Sequence, residues 1–464
     1  MTSVQNHRQL LSGNRIVFSF ILGILVLISC SAPAKVVVPT KPTVKEDVKP
    51  EVYNPKTNRY EPANTENTKV DTIVWRDSSE PPFITDKSVG TIPISDKPTN
   101  SDLNIALLLP LSEDDLNTDL GIEGTEKYFH YYAGLKMALD KISVENNHKI
   151  NLNVIDVKSS QDAILPVLQN PKVQSADLII GPLRRDHLNE TAKFVKDRNI
   201  PMVAPWNSFR TIENLNENYI LLKSSLPTHC ETLTDYILKQ FKPEDIAIVG
   251  REKTKSLMNY FQSEMDKNLG ARSVKLKQCI VKDDYVFKDD YKYLDSLKSV
   301  YIVTEFEDPD VVFNFLRHIN IMRKNKEVTV IGMPSWQDYS RDYNSLFSQL
   351  HVTISASSFP DIDNEEVLKF RNDFFKLYQN FPLKEAYEGY DAIQYLSLML
   401  NKYGRSFYLN GDMETYQGLA TMIRLEKIVD TSKPIDDRLN NIQCIENKAL
   451  YILRFDQFRF YKVQ

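Results

Sequence analysis

The sequence predicts an α/β protein built from two doubly wound, parallel-sheet lobes. Two observations carry that expectation. From Leu103 onward, short apolar runs alternate with stretches whose apolar residues recur at helical spacing. That rhythm belongs to parallel sheets with right-handed crossovers. The stretch 102–464 also holds more strand-like runs than one ordinary sheet takes.

The elements are predicted in order as follows. Leu103–Leu109 reads as a strand buried on both faces, ended by Pro110-Leu111-Ser112. Glu126–Ile142 carries Phe129, Tyr132, Ala133, Leu135, Met137, Ala138 and Leu139 on one broad stripe, which predicts a helix. Strand Ile150–Val157, helix Ala163–Leu168 and strand Ala176–Ile180 follow, the last stopped by Gly181-Pro182. Helix Asp186–Arg198 and strand Pro201–Ala204 come next, with Pro205 as the stop. The alternation repeats with helix Thr228–Phe241, strand Ile246–Val249, helix Ser256–Leu269 and strand Val274–Cys279. Strand Val300–Val303, helix Asp310–Met322 and strand Val328–Ile331 continue it.

The N-terminus is of another kind. His7, Arg8 and Arg15 precede an apolar run, Ile16–Ile28, of thirteen residues. That is short of the roughly 20 a membrane-spanning helix needs, so residues 1–29 read as an export signal. Leu27-Ile28-Ser29-Cys30 resembles the lipobox of bacterial lipoproteins. The resemblance implies cleavage before Cys30 and diacylation of its thiol, the group able to form the thioether. Several acyl chains make such an anchor durable. The expected place is the bacterial cell envelope, at the periplasmic face of the outer membrane. Residues 31–100 hold ten of the 23 prolines among Lys, Thr, Asp, Asn and Ser. So little apolar surface does not offset ordering entropy, and 30–100 is expected to be a disordered, lipid-anchored tether. Thr72-Ile73-Val74-Trp75 is its one apolar knot.

Charge and cysteines bound the function. The formal charge is −5, and without the Arg8 and Arg15 of the signal it is near −7. With no basic run, nucleic acid is not an expected partner. After Cys30, the thiols of Cys230, Cys279 and Cys444 permit at most one disulfide, with three possible pairings; three buried thiols is the simpler reading. There is no GxSxG, HExxH, Walker A or CxxC motif. His130, His148, His187, His229, His318 and His351 lack metal spacing, and Asp283-Asp284 and Asp289-Asp290 lie in polar stretches. Neither an enzyme nor a metal or other cofactor is expected.

Five segments in register carry a family resemblance: Ile105–Ser112, Tyr132–Ala138, Ala176–Leu183, Asn199–Pro205 and Glu385–Ile393. In this order they resemble the type I periplasmic-binding-protein fold, in its leucine/isoleucine/valine-binding branch. The resemblance covers about 101–464. It implies two lobes joined by three crossings and separated by a cleft. Lobe I takes about 102–226 and 355–410, and lobe II about 227–354 and 411–464, with C-terminal strands near Ala449–Phe455 and Phe458–Val463. Ligands of open α/β sheets bind at the carboxyl ends of strands. That rule selects Ser112, Arg184, Arg185, Trp206, Asn207 and Ser208 on lobe I, and Phe306, Glu307, Ser335 and Trp336 on lobe II. Arg184 and Arg185 begin a helix, where the dipole disfavours cations, so an anionic ligand is expected there. Trp206 and Trp336 are expected to face each other across the cleft and stack on a flat ligand.

The chain departs from the branch's amino-acid pocket. Arg184-Arg185 replaces a serine-rich turn, and Trp206-Asn207 is bulkier than the usual Gly-Ala. Ser208 stands for the small hydroxyl residue, Phe306 and Glu307 roughly occupy a tyrosine's place, and Pro334 or Ser335 sits where a glutamate belongs. Two functions fit: a lipid-anchored solute-binding protein serving a membrane transporter or receptor, or a lipoprotein that binds and regulates a peptidoglycan-synthesising partner. The second resembles the penicillin-binding-protein activator lipoproteins, whose usual N-terminal helical repeat domain is absent. Convergence of Arg185, Trp206, Ser208 and Trp336 on one cavity favours the first; burial of Trp336 or pairing of Arg184 favours the second.

Overall fold

The computed structural model describes residues 51–54, 59–62, 102–111, 121–145, 149–158, 163–210, 216–281, 298–305, 307–339, 343–409, 414–429 and 442–463. The signal, Cys30 and the Thr72–Trp75 knot lie outside the described residues. Within the segment expected to be a disordered tether, β1 (Glu51–Asn54) and β2 (Arg59–Pro62) pair as an antiparallel hairpin. This hairpin belongs to the first of two compact units, 1–84; the second is 85–464.

The second unit follows the predicted alternation. Lobe I opens with β3 (Leu103–Leu109), α1 (Gly121–Glu145) and β4 (Ile150–Asp156). Short helices α2 (Ile164–Leu168) and α3 (Pro171–Gln174) lead to β5 (Leu178–Ile180). Then come α4 (Arg185–Lys196), β6 (Met202–Ala204) and β7 (Tyr219–Leu221). Lobe II has α5 (Leu226–Gln240), β8 (Ile246–Arg251), α6 (Lys255–Leu269), β9 (Lys277–Val281) and β10 (Val300–Val303). It continues with α7 (Pro309–Arg323), β11 (Thr329–Ile331), α8 (Trp336–Tyr339), α9 (Asn344–Gln349) and β12 (Thr353–Ala356). Back in lobe I are α10 (Glu365–Tyr378), α11 (Lys384–Tyr403), the short pair β13 (Tyr416–Gln417) and β14 (Met422–Ile423), β15 (Leu425–Val429) and β16 (Ile442–Asn447). β17 (Tyr451–Asp456) and β18 (Arg459–Lys462) finish lobe II.

Each lobe is a seven-stranded sheet: β15-β16-β7-β6-β5-β3-β4 in lobe I, β18-β17-β12-β11-β10-β8-β9 in lobe II. Both are parallel except at one edge, where β15 pairs antiparallel with β16, and β17 with β12 and β18. The sequence places 411–464 wholly with lobe II; in the structure β15 and β16 join lobe I. β16 pairs in parallel with β7 (Ile445 opposite Ile220), burying Cys444 and Ile445 in lobe I. The three-residue β7 is not among the strands expected from the sequence.

The chain crosses between lobes three times: after β7, after β12 and after β16. These crossings are stitched by buried polar contacts. Glu446 accepts hydrogen bonds from the Ser225 amide and the Thr228 hydroxyl at 2.7 Å each, and from Arg210 Nε at 2.7 Å. Asn447 donates to the carbonyls of Leu222 and Met422, while the Ser224 hydroxyl donates to Asn447 O. Burial favours the neutral acid at Glu446, but Thr228, Arg210 and Ser225 outweigh it and hold the carboxyl below its ordinary range.

Two helices of lobe I approach closely. A Cβ on Gly134 of α1 would run into the carbonyl of Ala386, and one on Gly389 of α11 into that of Tyr131. Only glycine permits this crossing. It brings Tyr128 and Tyr131 of α1 alongside Glu388 of α11. Cys230 and Cys279 are free thiols in the lobe II core and Cys444 is free in lobe I. Burial pushes the Cys444 thiol up to about 12.

Candidate functional site

A cavity of about 480 Å³ lies between the two lobes. Its wall is assembled at the carboxyl ends of strands, as open α/β sheets require. Leu183 follows β5, Trp206 and Asn207 follow β6, and Leu222 and Lys223 follow β7. Pro334 and Ser335 follow β11; Ala356, Ser357 and Ser358 end β12 and begin the second crossing. Tyr128 and Tyr131 of α1, and Lys384, Glu385 and Glu388 of α11, complete the lobe I side. Gln337 and Asp338 of α8 complete that of lobe II.

Trp206 centres the lobe I wall. Its ring lies 4.7 Å from that of Tyr131, steeply inclined, and 5.4 Å from that of Tyr128. Its Nε1–H donates to Glu388 Oε2 at 3.0 Å. Asn207 donates to Leu183 O at 2.8 Å, tying the two loops together. Burial and then the neighbouring Glu385 push the Glu388 carboxyl up to about 7; Lys384, the Trp206 hydrogen bond and Lys223 moderate the shift. Tyr131 is fully buried, and its hydroxyl has no hydrogen-bond partner. Burial first, and then Glu388, raise its pKa.

Hinge and far wall are polar. His229 Nδ1 pairs with Ser355 Oγ at 2.8 Å, and Nε2 with Ser357 Oγ at 3.4 Å. Burial, helped by Lys223, lowers the imidazole to about 3, so it is neutral at physiological pH. Lys384 reaches Asp338 at 3.7 Å, an ion pair linking α11 of lobe I to α8 of lobe II. The Ser358 hydroxyl is buried without a partner.

The residues selected from sequence divide here. Trp206, Asn207 and Ser335 line the cavity. Arg184, Arg185, Ser208, Glu307 and Trp336 do not, and Ser112 and Phe306 lie outside the described residues. Arg184 pairs with Asp186 through Nη2–Oδ2 at 2.8 Å and Nε–Oδ1 at 3.1 Å. The anion expected at this helix start is thus the chain's own aspartate. Arg185 lies over Phe209, 5.1 Å from the ring centroid, and Glu307 pairs with Lys253 at 2.9 Å.

Trp336 is fully buried in the lobe II core beside Phe347, and its Nε1–H donates to Glu305 O at 2.8 Å. The facing pair of tryptophans expected from sequence is therefore absent. The lobe II strand ends are filled instead by Trp336 and by the buried pair of Arg251 Nε and Glu305 at 2.6 Å. Sequence reasoning missed Tyr128, Tyr131, Lys384, Glu388 and His229. The two helices were visible in the Tyr132–Ala138 and Glu385–Ile393 segments. Which of their residues face the cleft follows from the glycine-mediated crossing, which no single-helix pattern encodes.

Among the described residues, no group of His, Cys, Asp and Glu could hold a metal, and no helix is long and apolar enough to cross a membrane. No protein-family model matches the chain, and no curated protein matches it. Solved structures do. A Rhodospirillum rubrum protein provisionally assigned as a branched-chain amino acid ABC transporter aligns with TM-score 0.59 at 12% identity, covering 78% of this chain and 100% of that one. A Burkholderia xenovorans branched-chain amino acid ABC transporter periplasmic ligand-binding protein aligns with TM-score 0.52 at 11% identity, over 78% and 95%. An ABC transporter substrate-binding protein from Desulfitobacterium hafniense, in complex with Leu, aligns with TM-score 0.50 at 15% identity, over 78% and 100%. The two seven-stranded sheets, the three crossings and these alignments together identify the fold: residues 102–463 form a type I periplasmic-binding-protein fold.

Proposed function

We propose that this chain is a lipid-anchored, extracytoplasmic solute-binding protein. It captures a small ligand between its lobes and presents it to a membrane transporter or receptor. The observation that carries the reading is the cavity of about 480 Å³, walled by strand ends of both lobes and by the hinge. Its size falls in the range of small-molecule sites, roughly 300–1,000 Å³. The solved structures of like fold, named as transporter binding proteins, support it. Trp206, Asn207 and Ser335 touch the ligand, joined by Tyr131 and Glu388. Opening and closing at three crossings admit and trap it. Acylated Cys30 supplies the membrane anchor at the periplasmic face of the outer membrane, and the residues before 102 supply reach. The chain carries out no chemistry of its own.

Thermal unfolding of the full chain against amino acids, short peptides, sugars and cell-wall fragments tests the proposal. A ligand at 100 times its Kd adds about 2.7 kcal/mol, so one chemical class should raise the midpoint. A flat response throughout would sink the reading for those classes.

A second reading has its own support: a non-enzymatic lipoprotein that regulates a peptidoglycan-synthesising partner. Trp336 is core and Arg184 is paired within its own chain. Lobe I also exposes the stacked rings of Phe375 and Phe381, 39% and 51% accessible, with centroids 4.9 Å apart. Retention of a peptidoglycan synthase on the immobilised chain, lost on Phe381→Ala, would favour this second reading over the first.

A further inference from the structure

The cavity wall is balanced in charge. Lys127, Lys223, Lys384, Glu385 and Glu388 line its lobe I side, and Asp338 lines its lobe II side. Lys384 is already committed to Asp338, and Lys127 sits over the Tyr128 ring at 5.1 Å. A ligand carrying net charge would unbalance this set in a partly buried space, which is costly.

The hydrogen-bond inventory is more specific. Tyr131 Oη is fully buried and has no partner, and Tyr131 is among the residues that line the cavity. Glu388 uses Oε2 for Trp206, leaving Oε1 free to accept. Ser358 Oγ, on the hinge side, is a second buried hydroxyl without a partner. Buried polar groups of this kind are costly unless satisfied. A ligand hydroxyl donates and accepts at once, so a single one can serve both Glu388 Oε1 and Tyr131 Oη. Beside them the Trp206 ring offers an apolar surface for the C–H face of a saturated ring.

We infer that the cavity takes a neutral polyhydroxy compound, a mono- or disaccharide, with one hydroxyl held between Glu388 Oε1 and Tyr131 Oη and a ring face laid on Trp206. This rests on the solute-binding reading above and names its ligand class.

Calorimetric titration of the full chain in detergent tests it, with one panel of neutral mono- and disaccharides and a parallel panel of amino acids. At least one saccharide should bind. Tyr131→Phe should weaken that binding about tenfold, the loss of one hydrogen bond. The same variant should leave the ligand-free unfolding midpoint unchanged or raised, because it deletes an orphaned buried hydroxyl. A merely structural role for Tyr131 would not separate those two readouts. Glu388→Ala should weaken binding at least as much. Binding of amino acids but no saccharide overturns this inference and leaves the solute-binding reading standing. Silence from both panels overturns this inference and removes saccharides and amino acids from the solute-binding reading. A bound saccharide indifferent to both variants overturns the assigned subsite.

Discussion

Glu388→Gln should make the protein more stable, and by an amount that grows with pH. In the folded chain the carboxyl is pushed up to about 7 from an ordinary 4.5, chiefly by burial and secondarily by Glu385. The folded state therefore holds this proton more tightly than the unfolded state. Stability contributed by the protonated acid is complete below about pH 4.5 and is lost as pH rises toward 7. At about 1.4 kcal/mol per pH unit, the cost of keeping the anion above pH 7 is roughly 3 kcal/mol. Glu388 is only half-buried by surface area, so that figure is a ceiling. Glutamine cannot ionise, and its amide oxygen still accepts the Trp206 N–H. Urea unfolding of both proteins at pH 5, 6, 7 and 8 reads the effect. The variant's advantage should be smallest at pH 5 and reach about 1–3 kcal/mol at pH 8. An advantage that does not change with pH, or that shrinks as pH rises, would refute the environment assigned to Glu388.

Other outcomes follow from the hinge, the helix crossing and the anchor. Glu446→Gln should cost about 2–4 kcal/mol in urea unfolding at pH 7, since it leaves Arg210 without its buried partner. Because the folded Glu446 carboxyl lies below 4.5, its contribution is present above that pH, and the deficit should shrink as acid protonates it. Gly389→Ala should cost about 1–3 kcal/mol or more by thermal unfolding, because its Cβ meets the Tyr131 carbonyl. Cys30→Ala should abolish incorporation of labelled fatty acid and release the protein from membranes.

Much of the fold was legible in the sequence. Runs such as Leu103–Leu109 and Ile246–Val249 are buried on both faces, and that burial leaves an unbroken apolar run as its trace. Lobe membership near the C-terminus was not legible. β16 is placed by pairing with β7, more than two hundred residues earlier in the chain, and β15 by pairing with β16; nothing local records the partner of β16. The strand-end rule found Trp206, Asn207 and Ser335 because loops after parallel strands face the cleft. It misplaced Trp336, whose loop turns at once into α8 and sends the indole into the core. It also misread Arg184, because Asp186, two residues away, supplies the anion. Glu388 and Tyr131 were out of reach because they face the cleft from helix flanks set by tertiary packing.

Native mass spectrometry of the full chain, extracted from its own membranes without denaturation, tests the central claim most directly. The account predicts one small molecule bound per chain, released on unfolding and missing from a Tyr131→Phe, Glu388→Ala double variant that still folds. Identical small-molecule occupancy in that variant, or a wild-type chain that never carries a ligand, would contradict it.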